Sequence, residues 1–167
     1  MNTQKITNEE PEKDITYYLI TALSIPLLIL QLIVAVWFFN FYRLDFLLWG
    51  AVFFIISFLI FGWSPMYTLK VSGEAKEDTL SETTKLVKSG LYGYVRHPQF
   101  LSWIFFSISL TCLSQFWVVV ILNIVIILTI YLDAVIQDDY LKQKFGKEYE
   151  NYMKEVPRIN PLMNLLK

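Results

Sequence analysis

The sequence has almost none of the residues from which ordinary catalytic and metal sites are built. It contains one cysteine, Cys112, and one histidine, His97, among 167 residues. A lone cysteine excludes an internal disulfide and any cysteine metal cluster. A lone histidine starves a zinc-type site of its usual ligands, so no metal is expected. The nucleophile elbow G-x-S-x-G, the phosphate loop G-x-x-x-x-G-K-S/T and the dinucleotide fingerprint G-x-G-x-x-G are all missing. Charge is scarce too, at 17% of residues with a net charge of −1. No basic patch alternates with aromatics, which argues against nucleic acid as a partner.

What the chain does have is hydrocarbon. Apolar residues make up 55% and the mean hydropathy is +0.46, above the range of soluble domains. They fall in blocks. No charge occurs between Asp14 and Arg43, between Asp45 and Lys70, or between His97 and Asp133. A run of about 20 apolar residues crosses a bilayer as a helix, so the first two blocks predict one crossing each. The third, as a single helix, would be roughly 50 Å long against about 30 Å of hydrocarbon. Two short crossings with a turn at "TCLSQ" (Thr111 to Gln115) fit better. The expectation is an all-α integral membrane protein with four transmembrane helices, near 16–40, 46–69, 97–112 and 115–136, the last two forming a hairpin. The first block is not read as a cleavable signal, because its flank "NEEPEKD" is acidic and no A-x-A-like site follows. Lysine and arginine gather in two places: Lys70 to Arg96, and Lys142 to the end. By the positive-inside rule both of these, and the N-terminus, are cytoplasmic.

Residues 1–14 are polar and aperiodic, which predicts a flexible end. Residues 71–89 read as a charged loop, with "LSETTKLVKSG" a short turn or helix ending at Gly90. Leu141, Phe145, Tyr149, Tyr152 and Val156 recur at spacings of three and four, the period of an amphipathic helix. Such a helix, bent at Gly146 and stopped before Pro157, either lies on the membrane or covers a site at the cytoplasmic surface. Within the membrane, Gln31 and Pro26 suit packing and bending, and Asn123 and Thr129 suit hydrogen bonds between helices.

Two polar clusters could carry chemistry. In "GLYGYVRHPQF" (Gly90 to Phe100), Gly90 and Gly93 permit backbone shapes closed to other residues, and Pro98 suits the first turn of a helix. The start of a helix attracts anions, so Arg96 and His97 offer a seat for a carboxylate or phosphate. The plainer alternative has Arg96 reaching lipid headgroups, His97 capping the helix and the tyrosines in the interfacial belt. The second cluster is Asp133, Gln137, Asp138 and Asp139. Acidic groups at a membrane helix end face a cavity or water, and a hairpin would return them to the side of Arg96 and His97.

"LVKSGLYGYVRHPQF" (Leu86 to Phe100), a hairpin, then "QDDYLKQKFGKEYENYMKEVPRINP" (Gln137 to Pro161) resembles the isoprenylcysteine carboxyl methyltransferase and phospholipid methyltransferase family. The resemblance covers roughly the second half of the chain. The R-H-P element alone is less specific, since membrane sterol reductases carry a similar one. The family's members are integral-membrane enzymes using S-adenosylmethionine, so the resemblance implies one membrane methyltransferase domain, 1–167. Within it, 15–69 would hold two anchoring helices and 70–167 the cofactor. Cofactor contacts carried over fall on Thr84, Lys85, Leu86, Val87, Tyr92, His97, Pro98, Gln99 and Phe100, where the family usually has tyrosine at the last. The family's cofactor-binding glutamate falls on Gln137 or Asp138, depending on alignment. Charge favours Asp138. One turn earlier, where isoprenylcysteine methyltransferases hold the substrate carboxylate with an arginine, this chain has Asp133 (or Ala134). Arg96 or Arg158 could take that arginine's role, while an acidic group would suit an amine nucleophile; Arg96 and Asp133 are the candidates for handling the acceptor. The resemblance implies in-line methyl transfer to a lipidic acceptor entering from the bilayer near helices one, two and four. A prenylated cysteine carboxylate, a lipid amine or a thiol all fit. The readings of other classes are an NADPH-dependent sterol-type reductase, for which the chain is short, and a non-catalytic lipid- or partner-binding membrane protein.

Overall fold

The computed structural model describes residues 15–73 and 83–160. The expected flexible N-terminus and the start of "LSETTKLVKSG" (80–82) lie outside them; the rest of that stretch, 83–89, forms no helix and leads into a single 3₁₀ turn from Gly90. Among the described residues five α-helices follow one another: α1 (Ile15–Trp37), α2 (Asp45–Ser72), α3 (Pro98–Ser114), α4 (Trp117–Phe145) and α5 (Lys147–Glu155). No strand occurs among the described residues. Three helices, α1, α2 and α4, are long and apolar enough to cross a membrane, while α3 is apolar but shorter.

Local chemistry sets the ends. α2 carries Asp45 in its first turn and Lys70 in its last, each complementing the helix dipole. α3 starts at Pro98, whose missing N–H costs nothing there. It ends at Gln115 in the left-handed conformation (φ 60°), with the Gln115 N–H donating to the Thr111 carbonyl. The Gln115 side chain then fixes the start of α2: its Oε1 accepts from Leu44 N–H at 2.9 Å and its Nε2 donates to Asn40 at 2.8 Å. Phe38 stacks on Phe116 at 4.0 Å beside these contacts. The α1–α2 and α3–α4 turns therefore dock on each other at one end of the bundle.

The bundle inverts the soluble pattern. Ile33, Phe53 and Leu59 are exposed, whereas Gln31, Ser102, Ser107, Ser109 and Ser114 are buried. Apolar surface facing lipid loses nothing, so helix contacts rely on small residues and hydrogen bonds. α2 packs against α3, with Gly62 set against Ser102, and α1 packs against α4. Ser107 joins three helices, its hydroxyl 2.8 Å from Gln31 Oε1 and 2.7 Å from Asn123 Oδ1. Thr129, in contrast, turns back to the Ile126 carbonyl of its own helix.

Two boundaries differ from expectation. α4 does not stop near residue 136 but runs to Phe145, taking in Leu141 and Phe145. At 29 residues it is about 44 Å long, so its last turns outreach a hydrocarbon core of about 30 Å. The amphipathic period from Leu141 to Val156 is therefore shared by two helices, broken at Gly146 with φ +56°.

Candidate active site

Chain geometry at the other end of the bundle begins at Gly73, whose carbonyl accepts from Thr84 N–H at 3.1 Å. The chain from 83 to 89 has no helix, then turns at Gly90 (φ +62°) into a single 3₁₀ turn over Gly90–Gly93. A side chain at Gly90 would be strained by its φ and would press on Thr68 at 3.4 Å. Arg96 and His97 then pair with the chain's last described segment. Arg96 N–H donates to the Pro157 carbonyl at 2.9 Å, and His97 N–H to the Arg158 carbonyl at 3.1 Å. The R-H-P and V-P-R elements, far apart in sequence, lie side by side.

Asp138 is the knot between them. It is 1% exposed. Its Oδ1 accepts from Tyr149 OH at 2.6 Å and lies 2.7 Å from His97 Nε2 and 2.9 Å from Arg96 Nη1. Its Oδ2 accepts from Arg158 Nε at 2.6 Å. Burying a carboxylate is costly unless its lone pairs are filled, and here they are. Burial pushes the His97 pKa below its ordinary value, with Asp138 opposing. His97 is therefore neutral near pH 7 and donates from Nε2. Burial raises the hydroxyls of Tyr92, Tyr149 and Tyr152, keeping them as neutral donors. Burial lowers the Arg158 guanidinium, but Asp138 outweighs it and the net shift is upward.

Above this knot is a cavity of about 200 Å³. Leu86, Val87 and Tyr92 form one wall; Arg96, His97, Pro98, Gln99 and Phe100 the next. Leu69 and Thr83 add to it, and Gln137, Leu141 and Phe145 come from α4. Tyr149 and Tyr152 of α5 close it, Tyr152 OH donating to the Tyr92 carbonyl. Most residues carried over for the cofactor are thus brought together. Thr84 and Lys85 are exposed beside the cavity rather than on its wall, and Asp138 lies behind it. Asp133 goes elsewhere. It is 4% exposed, and its carboxylate accepts from Thr21 at 3.3 Å and Ser24 at 3.2 Å, both on α1.

One wall residue has donors to spare. Arg96 is 8% exposed, and its Nε and Nη1 make no hydrogen bond among the described residues. Nη1 is close to Asp138 but off the hydrogen-bonding direction, so that contact is an ion pair only. Two guanidiniums, Arg96 and Arg158, share one carboxylate, leaving a surplus positive charge against the cavity. Among the described residues no group of three metal-ligating side chains occurs.

Sequence reasoning missed several participants. Tyr149 and Tyr152 were visible as apolar positions of a helical period and within the resembling tail, and Arg158 as an alternative partner for a substrate carboxylate, none of them as a partner of Asp138 or of the cavity. Thr21 and Ser24 carried no signal, because hydroxyls within a membrane helix commonly bond their own backbone.

Among the described residues these features define an all-helical membrane protein with a half-open, partly charged cavity beneath a C-terminal cover. A model of the isoprenylcysteine carboxyl methyltransferase family matches residues 50–141, more than half of the chain. The chain belongs to that family of membrane methyltransferases. The match covers most of α2, all of α3 and most of α4, but neither α1 nor α5. No curated protein and no solved structure matches the chain.

Proposed function

We propose that this protein transfers a methyl group from S-adenosylmethionine to the carboxylate of a lipidic acceptor of the prenylated-cysteine type. The observation that carries the reading is Arg96: a buried guanidinium on the cavity wall that shares the Asp138 carboxylate with Arg158, and whose Nε and Nη1 make no hydrogen bond, suits a second carboxylate. The donor's amino-acid carboxylate and the acceptor carboxylate both have that chemistry. The remaining wall suits a sulfonium cation, because Tyr92, Phe100, Phe145, Tyr149 and Tyr152 give it aromatic faces. When bound, S-adenosylmethionine supplies an activated methyl group on sulfur. Leu86, Val87, Tyr92, His97, Pro98, Gln99, Phe100 and Gln137 are proposed to hold it, with Thr84 and Lys85 at the rim. Gln137 lines the cavity while Asp138 is fully engaged. Gln137 is therefore assigned to the cofactor and Asp138 to positioning Arg96 and His97. Methyl transfer in line needs alignment and exclusion of water more than acid–base groups. The buried wall and the α5 cover provide both.

In the same reading α3 is a fourth span, forming a hairpin with α4, and the cavity opens to the cytoplasm. The cluster of lysines and arginines at that end supports this side. A second reading is N-methylation of a lipid amine, since the chain has Asp133 where the isoprenylcysteine enzymes hold a carboxylate with arginine; Asp133 itself is bonded to Thr21 and Ser24 of α1 and does not line the cavity. Equilibrium binding of labelled S-adenosylmethionine, followed by turnover of prenyl-cysteine and lipid-amine acceptors, tests both. Gln137→Ala is expected to weaken cofactor binding about tenfold or more, the loss of one good buried hydrogen bond. Undiminished affinity refutes the assigned site, and NADPH binding instead points to a reductase.

A further inference from the structure

Four side chains converge on the Asp138 carboxylate, and they come from two separate stretches of chain. Arg96 and His97 stand at the start of α3, on the cavity wall. Tyr149 and Arg158 belong to the cover, which joins α4 through Gly146 at φ +56°. Both contacts from the cover are hydrogen bonds, Tyr149 OH to Oδ1 at 2.6 Å and Arg158 Nε to Oδ2 at 2.6 Å. Arg96 Nη1 lies 2.9 Å from Oδ1, an oxygen already taken by Tyr149 and His97, and makes no hydrogen bond there. Arg96 is thus the displaced partner.

The two guanidiniums differ in how well they can do without the carboxylate. The Arg158 side chain is 24% exposed and can be hydrated, whereas that of Arg96 is 7% exposed. With the cover lifted, Asp138 would keep His97 and Arg96, one carboxylate for one buried guanidinium. With it seated, Arg96 has Nε and Nη1 unbonded and its guanidinium 6.0 Å from the centre of the Tyr149 ring. Seating the cover therefore underbonds a buried positive charge, which is costly unless an anion supplies the missing acceptor. We infer that the cover closes over an anion: a carboxylate in the cavity binds Arg96 in place of Asp138, and so lets Tyr149 and Arg158 take the Asp138 oxygens. The inference rests on the methyltransferase reading for the source of that carboxylate, the donor's amino-acid part or the acceptor. It adds to that reading a coupling between ligand charge and cover position. By linkage the coupling is reciprocal, so a seated cover raises anion affinity by the same factor. The backbone bonds from Arg96 N–H to the Pro157 carbonyl and from His97 N–H to the Arg158 carbonyl keep the two stretches in register.

The test is limited trypsin digestion of the full-length protein in phosphatidylcholine nanodiscs, read at the exposed Lys147 and Lys154 of α5. S-adenosylhomocysteine carries the donor's carboxylate and is expected to slow cleavage about tenfold, the scale of one buried charge-assisted hydrogen bond. Methylthioadenosine, which lacks the amino-acid part, should not slow it. Protection by methylthioadenosine only when N-acetyl-farnesyl-cysteine is added assigns the anion to the acceptor. Equal protection by both nucleosides alone, or none from a bound carboxylate ligand, overturns the inference. Arg96→Gln without ligand provides a second measurement. Relieved of the buried charge, its cover should be cut about tenfold more slowly than the wild type's, by the same scale. Arg96→Lys, which keeps the charge, should be cut as the wild type is. An arginine that merely held the cover down would give faster cleavage in Arg96→Gln, and faster or unchanged cleavage refutes the coupling whatever the protein binds. Slower cleavage of Arg96→Gln in a protein that binds neither nucleoside would keep the coupling and refute the enzymatic reading.

Discussion

Asp138 shows how much one residue organises here. Its carboxylate receives Tyr149, His97 and both guanidiniums while remaining 1% exposed. Asp138→Asn removes the negative charge that faces both Arg96 and Arg158. Leaving buried charge unpaired costs about 3–5 kcal/mol, so a large fall in thermal stability in detergent is expected, with loss of cofactor binding. A variant as stable as the wild type would show the knot to be dispensable. His97 adds a pH dependence. Its folded pKa is depressed by burial, so below about 6.5 the unfolded chain binds the proton more readily. Stability from His97 is full above that value and is lost as pH falls toward the lower folded value. His97→Asn should flatten the stability profile between pH 5 and 7, measured by denaturation at several pH values. The residue types at this site were legible in the sequence. Which acid faces which base was not, because Asp133 and Asp138 look alike until the rotation of α4 sends them to different neighbours.

At the scale of elements, the join of α4 to α5 decides whether the cavity is covered. Gly146 has φ +56° and ψ −133°, a conformation nearly confined to glycine. A Cβ there would meet nothing within 4 Å, so the cost of Gly146→Ala is backbone strain alone. About 1–3 kcal/mol is expected, together with weaker cofactor binding and faster proteolysis around α5. Unchanged proteolysis would mean the cover does not depend on this hinge. The period from Leu141 to Val156 was read correctly, yet as one bent helix, since a spacing of three and four cannot register a positive φ. The end of α4 was placed early for another reason. Hydropathy marks where hydrocarbon ends, and a helix costs nothing extra to continue into water.

For the whole molecule, the distribution of polarity fixes the environment: serines and amides inside, Trp49, Phe53 and Trp63 outside. Sidedness can be measured in a Cys112→Ser background. Lys88→Cys, beside the cavity, and Phe39→Cys, at the docked turns, occupy exposed positions at opposite ends of the bundle. Lys88→Cys is expected to react with an impermeant thiol reagent from the cytoplasmic face only, and Phe39→Cys from the other face only. Labelling of both from one face would overturn the four-span topology.

By itself the sequence determined that the chain is helical, that it enters a membrane, and which segments approach one end of the bundle. Block hydropathy, basic-residue bias and the R-H-P start of a helix are local properties, and water or lipid acts on them directly. Only the tertiary structure decided that Asp138 is enclosed while Gln137 faces the cavity, that Asp133 belongs to α1, and that Arg158 completes the knot. Those choices depend on the rotation of one helix about its axis and on contacts between residues far apart in the chain. No periodicity in the sequence records either.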